Sequence, residues 1–214
     1  MAAPDAPWVD SPFHLIPTPG RGEEVSKLPV HIWIAREMAC AHNGMLRGLN
    51  SIYQQSIHVA NPEDIKDLLK YTEFWCGWIH EHHDAEEDFY FPEVERLTGV
   101  KGLMAANVAQ HHAFMPGLEA LGKFAKETTV EEYDGTRLRA VIDSFGKVLT
   151  EHLIDEIETL LELEKYDGVV MKKLYQELDL KVRAGDKVGC LFKLDEVKLT
   201  RIVDSVPDGS WHLR

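Results

Sequence analysis

Apolar residues recur every three or four positions through four long stretches of this chain, and polar residues fill the intervals. That is the period of an amphipathic helix, not of a strand. In the first stretch the stripe is Ile34, Met38, Met45, Leu46, Leu49 and Ile52. It predicts a helix over about 26–59, with Ser26 as its cap and Pro29 in its first turn, where a missing N–H costs nothing. The second helix is predicted over about 62–90. It opens on Asn61-Pro62-Glu63-Asp64: a capping amide, a proline at the first position, then two acids at the positive end of the helix dipole. Pro92 must kink or interrupt it, and Leu97-Thr98-Gly99 ends the segment. A third helix is predicted over about 102–126, bent at Pro116. A fourth runs over about 129–166, with Thr129 and Glu132 as a capping box and Asp167-Gly168 as its stop. A shorter fifth covers about 169–180.

Four long helices joined by short links predict an all-α, up-down-up-down four-helix bundle. The flanks differ in character. Residues 1–25 carry Pro4, Pro7, Pro12, Pro17 and Pro19, which predicts an extended arm held to the domain through Trp8 and Phe13. Ala184-Gly185-Asp186 reads as a turn, and 188–194 and 197–203 fit short strands or loops equally well. The expected organisation is therefore an arm over 1–25, a bundle over 26–167, and a helix with a covering tail over 168–214.

Charge narrows the partners. Asp and Glu number 36 against 23 Lys and Arg, a net −13, which repels nucleic-acid backbones and anionic lipid. No uncharged apolar run is long enough to span a membrane, and the N-terminus lacks a basic segment followed by an apolar one. Cys40, Cys76 and Cys190 are odd in number and contain no Cys-x-x-Cys, which speaks against a disulfide framework or zinc knuckle and for a reducing, cytoplasmic setting. Cys40 and Cys76 read as small apolar fillers within helices.

The chemistry lies in a pattern that occurs twice. His42 precedes His82-x-x-x-Glu86 by 82 − 42 = 40 residues, and His111 precedes His152-x-x-x-Glu156 by 152 − 111 = 41. On a helix, residues i and i+4 differ by about 40° in azimuth and about 6 Å in height, so each His and Glu reach one point. Counted from the predicted hairpin turns, the paired residues fall within roughly one to two helical turns of a common level. On helix faces, His111 shares a stripe with Phe114, Leu118 and Leu121, and His82 with Trp75, Trp78, Ile79 and Phe89. These faces favour His111 over His112 and His82/Glu86 over His83/Glu87. His80, His83 and Glu87 then read as supporting or solvent-facing. The candidate metal ligands are His42, His82, Glu86, His111, His152 and Glu156. Six donors exceed a closed tetrahedral zinc site and suit two cations bridged by carboxylates.

The segment His82-His83-Asp84-Ala85-Glu86-Glu87-Asp88-Phe89-Tyr90-Phe91-Pro92 closely resembles the His-x-x-x-Glu-Glu…Phe-Pro signature of hemerythrin-like (HHE cation-binding) domains. His42, His111 and His152/Glu156 match the remaining ligand positions in order, and the resemblance covers roughly residues 29–165. It implies the hemerythrin bundle and two iron ions, oxo- or hydroxo-bridged, with Glu86 and Glu156 as bridging carboxylates, ahead of manganese or zinc. Oxygen-carrying members have a further histidine one turn before the third-helix ligand, where this chain has Asn107. The four-His, two-Glu set looks more like relatives that act on iron, O2 or NO. The implied function is binding or reacting with O2 or NO. The alternative is a di-iron oxygenase or oxidase acting on a small apolar organic substrate beside the metals, walled by Phe74, Trp75, Trp78, Phe89, Phe91, Phe114 and Phe145. The tail, as a lid, and the coordination position freed by the missing histidine both favour that alternative.

Overall fold

The structure, a computed structural model, describes the backbone of residues 8–185 and the side chains of residues 9–182. The expectations placed on the Trp8 side chain, on Asp186 and Cys190, and on segments 188–194 and 197–203 lie outside these residues. Helix is the only regular structure among the described residues. The long helices are α1 (Val30–Gln55), α2 (Pro62–Ala85), α4 (Ala105–Glu127) and α6 (Gly146–Leu161). Helix α1 packs on α2 and α6, and α4 packs on the same two, which closes an up-down-up-down ring. Short helices α3 (Phe91–Thr98) and α5 (Gly135–Asp143) precede α4 and α6, and α7 (Gly168–Gly185) lies across α1, α2 and α3.

The expected start of α2 is borne out: the Asn61 side chain accepts the Glu63 N–H at 3.0 Å, with Pro62 at the first position. Two other starts differ. Ser26 does not cap α1; its hydroxyl donates to Glu24 Oε1 at 2.6 Å inside a short 3-10 turn. Leu28, which precedes a proline, and Pro29 itself are both extended (ψ 138° and 145°), so the helix begins at Val30. Thr129 likewise spends its hydroxyl on the Glu132 side chain, 3.0 Å away, not on backbone. Asp134 is the cap instead, its carboxylate accepting the N–H groups of Thr136 and Arg137 at 2.8 and 3.3 Å.

The predicted fourth helix is really two, α5 and α6. At the break, Phe145 turns inward and is buried against Gly117 of α4, where a Cβ would come within 2.4 Å of the phenylalanine. Helix α4 runs unbroken through Pro116. The interruption expected near Pro92 takes the form of a five-residue π-helical turn, Glu86–Tyr90, between α2 and α3. The Phe91 N–H bonds the Glu86 carbonyl, five residues back. Such turns widen a helix and recur at functional sites.

The arm is fastened by two fully or nearly buried asparagines two turns apart on α1. Asn50 accepts the Phe13 N–H at 2.9 Å and donates to the carbonyls of Val9 and Phe13 at 2.7 and 2.8 Å. Asn43 accepts from Ile16 N at 2.7 Å and returns a bond to its carbonyl at 2.9 Å. Phe13 meets Tyr53 edge-on, as the arm's expected anchor. Cys76 is buried, its thiol pushed up to about 12 by burial, but Cys40 is exposed and fills nothing. The predicted α1 stripe is fully inside.

Candidate metal centre

All six predicted ligands point into the bundle and are buried: His42, His111, His152, Glu86 and Glu156 completely, His82 to 7% exposure. A seventh residue joins them. His83, expected beside or outside the site, is 1% exposed and faces its interior. Two groups of donors form, His83, His111 and His152 with Glu86, and His42 and His82 with the same Glu86. The Oε2 atom of Glu156 lies 3.4 Å from His42 Nε2 and 3.8 Å from His152 Nε2, between the two groups.

Local helix geometry explains why one carboxylate serves both. Glu86 is four residues after His82 and three after His83, and both spacings share a helix face. The buried stripe of α2 is centred on Trp75 and Ile79, whereas Trp78 and Phe89 are only partly buried. The centre of the bundle therefore faces the line between His82 and His83. Their rings stand 5.1 Å apart and nearly perpendicular, one toward each donor group. The sequence signal for His83 was the +3 spacing to Glu86. A search restricted to +4 pairs it with Glu87 and misses it.

Hydrogen bonds orient the imidazoles. His42 Nδ1–H donates to the Leu153 carbonyl at 2.9 Å, and His83 Nδ1–H to that of Ile79 at 2.7 Å. His111 Nδ1–H donates to Glu87 Oε1 at 2.7 Å. His152 Nδ1–H donates to Gln110 Oε1 at 3.3 Å, and Gln110 in turn donates to Asp155 at 2.6 Å. With the proton on Nδ1, each Nε2 presents a bare lone pair inward, the arrangement that metal-binding histidines adopt. His112, the rival of His111, has a side chain 73% exposed and only approaches Glu87, at 3.9 Å.

The donor atoms fit a cation and fit little else. His111 Nε2 and His152 Nε2 face each other at 3.1 Å, with both ring protons committed elsewhere. Nε2 of His42, His82 and His83 and the carboxylate oxygens of Glu86 and Glu156 are buried without a hydrogen-bond partner. Such groups cost about 1–3 kcal/mol each when left unsatisfied. Donors bound at about 2.1 Å to one cation sit about 3.0 Å apart at right angles and about 3.4 Å apart in a tetrahedron. The observed contacts are of that size: His82–Glu86 2.9 Å, His42–Glu156 3.4 Å and His111–Glu86 3.7 Å.

Burial sets the protonation in the absence of a cation. It lowers His42, His83 and His152 well below the usual imidazole range, and His82 and His111 to about 4. It also raises Glu86 and Glu156 well above the carboxylate range; the charge of Glu86 pushes Glu156 up further, whereas Glu156 partly offsets the shift of Glu86. The imidazoles are thus ready to bind, and the carboxyls must lose protons to do so.

Aromatic side chains close the site. Phe114 packs on His83, His111 and His152, and Phe91 on His111. Phe74, Trp78 and Phe89 lie partly exposed, and Trp75 and Phe145 serve the core. The Tyr90 hydroxyl is buried without a partner, near enough to Glu86 and Glu156 for their charges to raise its pKa further after burial. Tyr175 of α7 meets Tyr90 edge-on, 6.0 Å between ring centres. On the far side of Tyr175 lies a cleft of about 350 Å³ between α1 and α7, lined by Trp33, Glu37, Ala41, Tyr175, Gln176 and Asp179. Among the described residues, no helix is long and apolar enough to cross a membrane.

A curated protein described as "Dimeric xanthone biosynthesis cluster protein R11", from Cryptosporiopsis sp. (strain 8999), is 38% identical over 174 residues, 80% of this chain. The shared stretch spans 66% of that protein's length. No solved structure matches the chain significantly. The hemerythrin HHE cation binding domain matches residues 34–163, a span that holds every donor described above. With that match and a buried His/Glu cluster able to hold metal cations, the chain belongs to the hemerythrin HHE cation-binding family.

Proposed function

We propose that the chain is a non-haem di-iron protein that takes up O2 or NO at a metal pair held by His42, His82, His83, His111, His152, Glu86 and Glu156. The observation that carries this reading is the facing pair of His111 and His152, whose Nε2 atoms lie 3.1 Å apart while each Nδ1 has an acceptor of its own. A cation held by both nitrogens would replace repulsion between their lone pairs with coordination. Five imidazoles and two carboxylates suit iron better than zinc, because each carboxylate can span two cations and both metals can exceed four ligands. Bound iron supplies reversible one-electron chemistry and affinity for diatomic ligands.

The protein's own residues set the conditions. Hydrogen bonds at Nδ1 fix four imidazoles, Phe91 and Phe114 exclude water, and Tyr90 holds a hydroxyl proton beside the two carboxylates. The cysteine pattern and acidic charge fit a cytoplasmic protein without nucleic-acid or membrane partners.

A second reading, an oxidoreductase acting on a small organic substrate, is favoured by the α1/α7 cleft and by the biosynthetic name of the relative. Elemental analysis of the aerobically purified chain, with its optical spectrum, tests the shared premise. About two iron per chain with near-ultraviolet charge-transfer bands is expected, and purification without bound iron overturns it. Re-aeration of the reduced protein then separates the readings. A lasting coloured adduct favours binding, and a rapid return to the oxidised spectrum favours turnover.

A further inference from the structure

The cleft between α1 and α7 is separate from the donor cluster but shares a wall with it. Its floor is Tyr175, which is 9% exposed and touches Tyr90 on its inner side. Trp33 stands edge-on to Tyr175, 5.5 Å between centres and 80° apart, so the two rings form an aromatic corner. Ala41, adjacent in sequence to His42, leaves room where a larger residue would fill the space. Glu37 reaches the corner closely enough for its charge to act on the Tyr175 hydroxyl. Asp179 and Gln176 complete the lining, which holds no Lys or Arg among the described residues; Lys172 lies over the Trp33 ring, at 4.8 Å. The volume of about 350 Å³ matches small-ligand pockets.

We infer that this cleft binds a small neutral hydroxylated arene. The aromatic corner takes a flat ring against its edges and faces. The Glu37 carboxylate accepts a hydrogen bond from a phenolic hydroxyl and repels carboxylate or phosphate ligands. One aromatic pair, Tyr175 and Tyr90, then separates the ligand from Glu86 and Glu156. As a statement about the substrate of the iron pair, the inference rests on the oxidoreductase reading above. As a binding site it stands without it.

The test is calorimetric titration of the full-length purified chain with resorcinol and, separately, with benzoate, iron content being measured on the same samples. Saturable resorcinol binding with benzoate at least tenfold weaker is expected. Ala41→Leu should fill the cleft and weaken resorcinol at least tenfold with unchanged iron content. Glu37→Gln should weaken it about tenfold, the worth of one hydrogen bond to a charged acceptor, and narrow the gap to benzoate. Equal binding of benzoate and resorcinol, or wild-type resorcinol affinity in both variants, overturns the inference. So does a new visible absorption band on resorcinol addition that persists in Ala41→Leu, because the phenol would then sit on the metals. Cleft-dependent resorcinol binding in a chain that carries no iron would sink the metal reading alone, and iron without resorcinol binding would sink this inference alone.

Discussion

Replacing His83 by leucine should move two properties in opposite directions. In the metal-free protein, His83 buries an Nε2 that has no partner, and its ring packs against Phe114 with centres 4.9 Å apart. Leucine keeps most of that packing and removes the orphaned nitrogen. The Ile79 carbonyl loses the side-chain bond but remains within the helix ladder of α2. Removing one buried unsatisfied group should stabilise the metal-free chain by about 1–3 kcal/mol. In the loaded protein the same change deletes one of three imidazoles from the group His83, His111, His152 and Glu86. Structural sites gain about 10–16 kcal/mol from four ligands, so one ligand is worth about 2.5–4 kcal/mol, or two to three decades in affinity. The second group, His42 and His82 with Glu86, keeps its imidazoles. The expected outcome is about one tightly held iron per chain and a second lost to a competing chelator, together with a raised urea midpoint for the metal-free form. Elemental analysis after chelator dialysis and paired denaturation curves read both. Glu86→Ala should instead release both ions, since its carboxylate is common to the two groups. Two irons retained at wild-type affinity in His83→Leu would refute the assignment of His83. A metal-free form less stable than wild type would refute the claim that its Nε2 is an uncompensated cost.

Four further outcomes follow from the geometry. Glu87→Gln keeps an acceptor for His111 Nδ1–H at 2.7 Å but removes its charge, and should weaken metal binding about 10- to 100-fold, read by chelator competition; unchanged affinity would reduce Glu87 to a bystander. Asn50→Ala strips three hydrogen bonds from the arm at a fully buried position and should cost about 2–4 kcal/mol, with early proteolysis before α1; an intact, equally stable protein would show that the arm is held otherwise. The metal-free protein should lose stability as pH falls from 6.5 toward 4. In that window the unfolded chain protonates all five site histidines, which burial keeps neutral in the folded chain, His82 and His111 down to about 4 at a cost of about 3 kcal/mol each at most, and five such groups outweigh the two acids. Glu86 and Glu156 act in the opposite sense, favouring the folded state at acid pH and losing that effect as pH rises above 4.5. Metal loading at neutral pH should release protons from these two acids, measurable with an indicator in weak buffer, and zero release would contradict their burial as neutral carboxyls.

Much of this protein is written locally. The 3.6-residue period marks the helices, because burying one face of a helix demands it. Asn61 announces the start of α2, because its side chain bonds a backbone N–H two residues away. The two His-x-x-x-Glu units name four of the seven buried candidate donors, since four residues along one helix define a direction whatever the neighbouring helices do, and the matched 40- and 41-residue spacings add His42 and His111. What depends on another part of the chain was not legible. The break before α6 exists because Phe145 fits against Gly117 of a different helix. His83 joins the candidate donors only because α2 is rotated so that the boundary between two adjacent histidines faces the bundle axis. That rotation is set by the packing of Trp75 and Ile79 among the other helices. A sequence specifies which residues share a face; the orientation of that face is fixed by what the rest of the molecule presses against it.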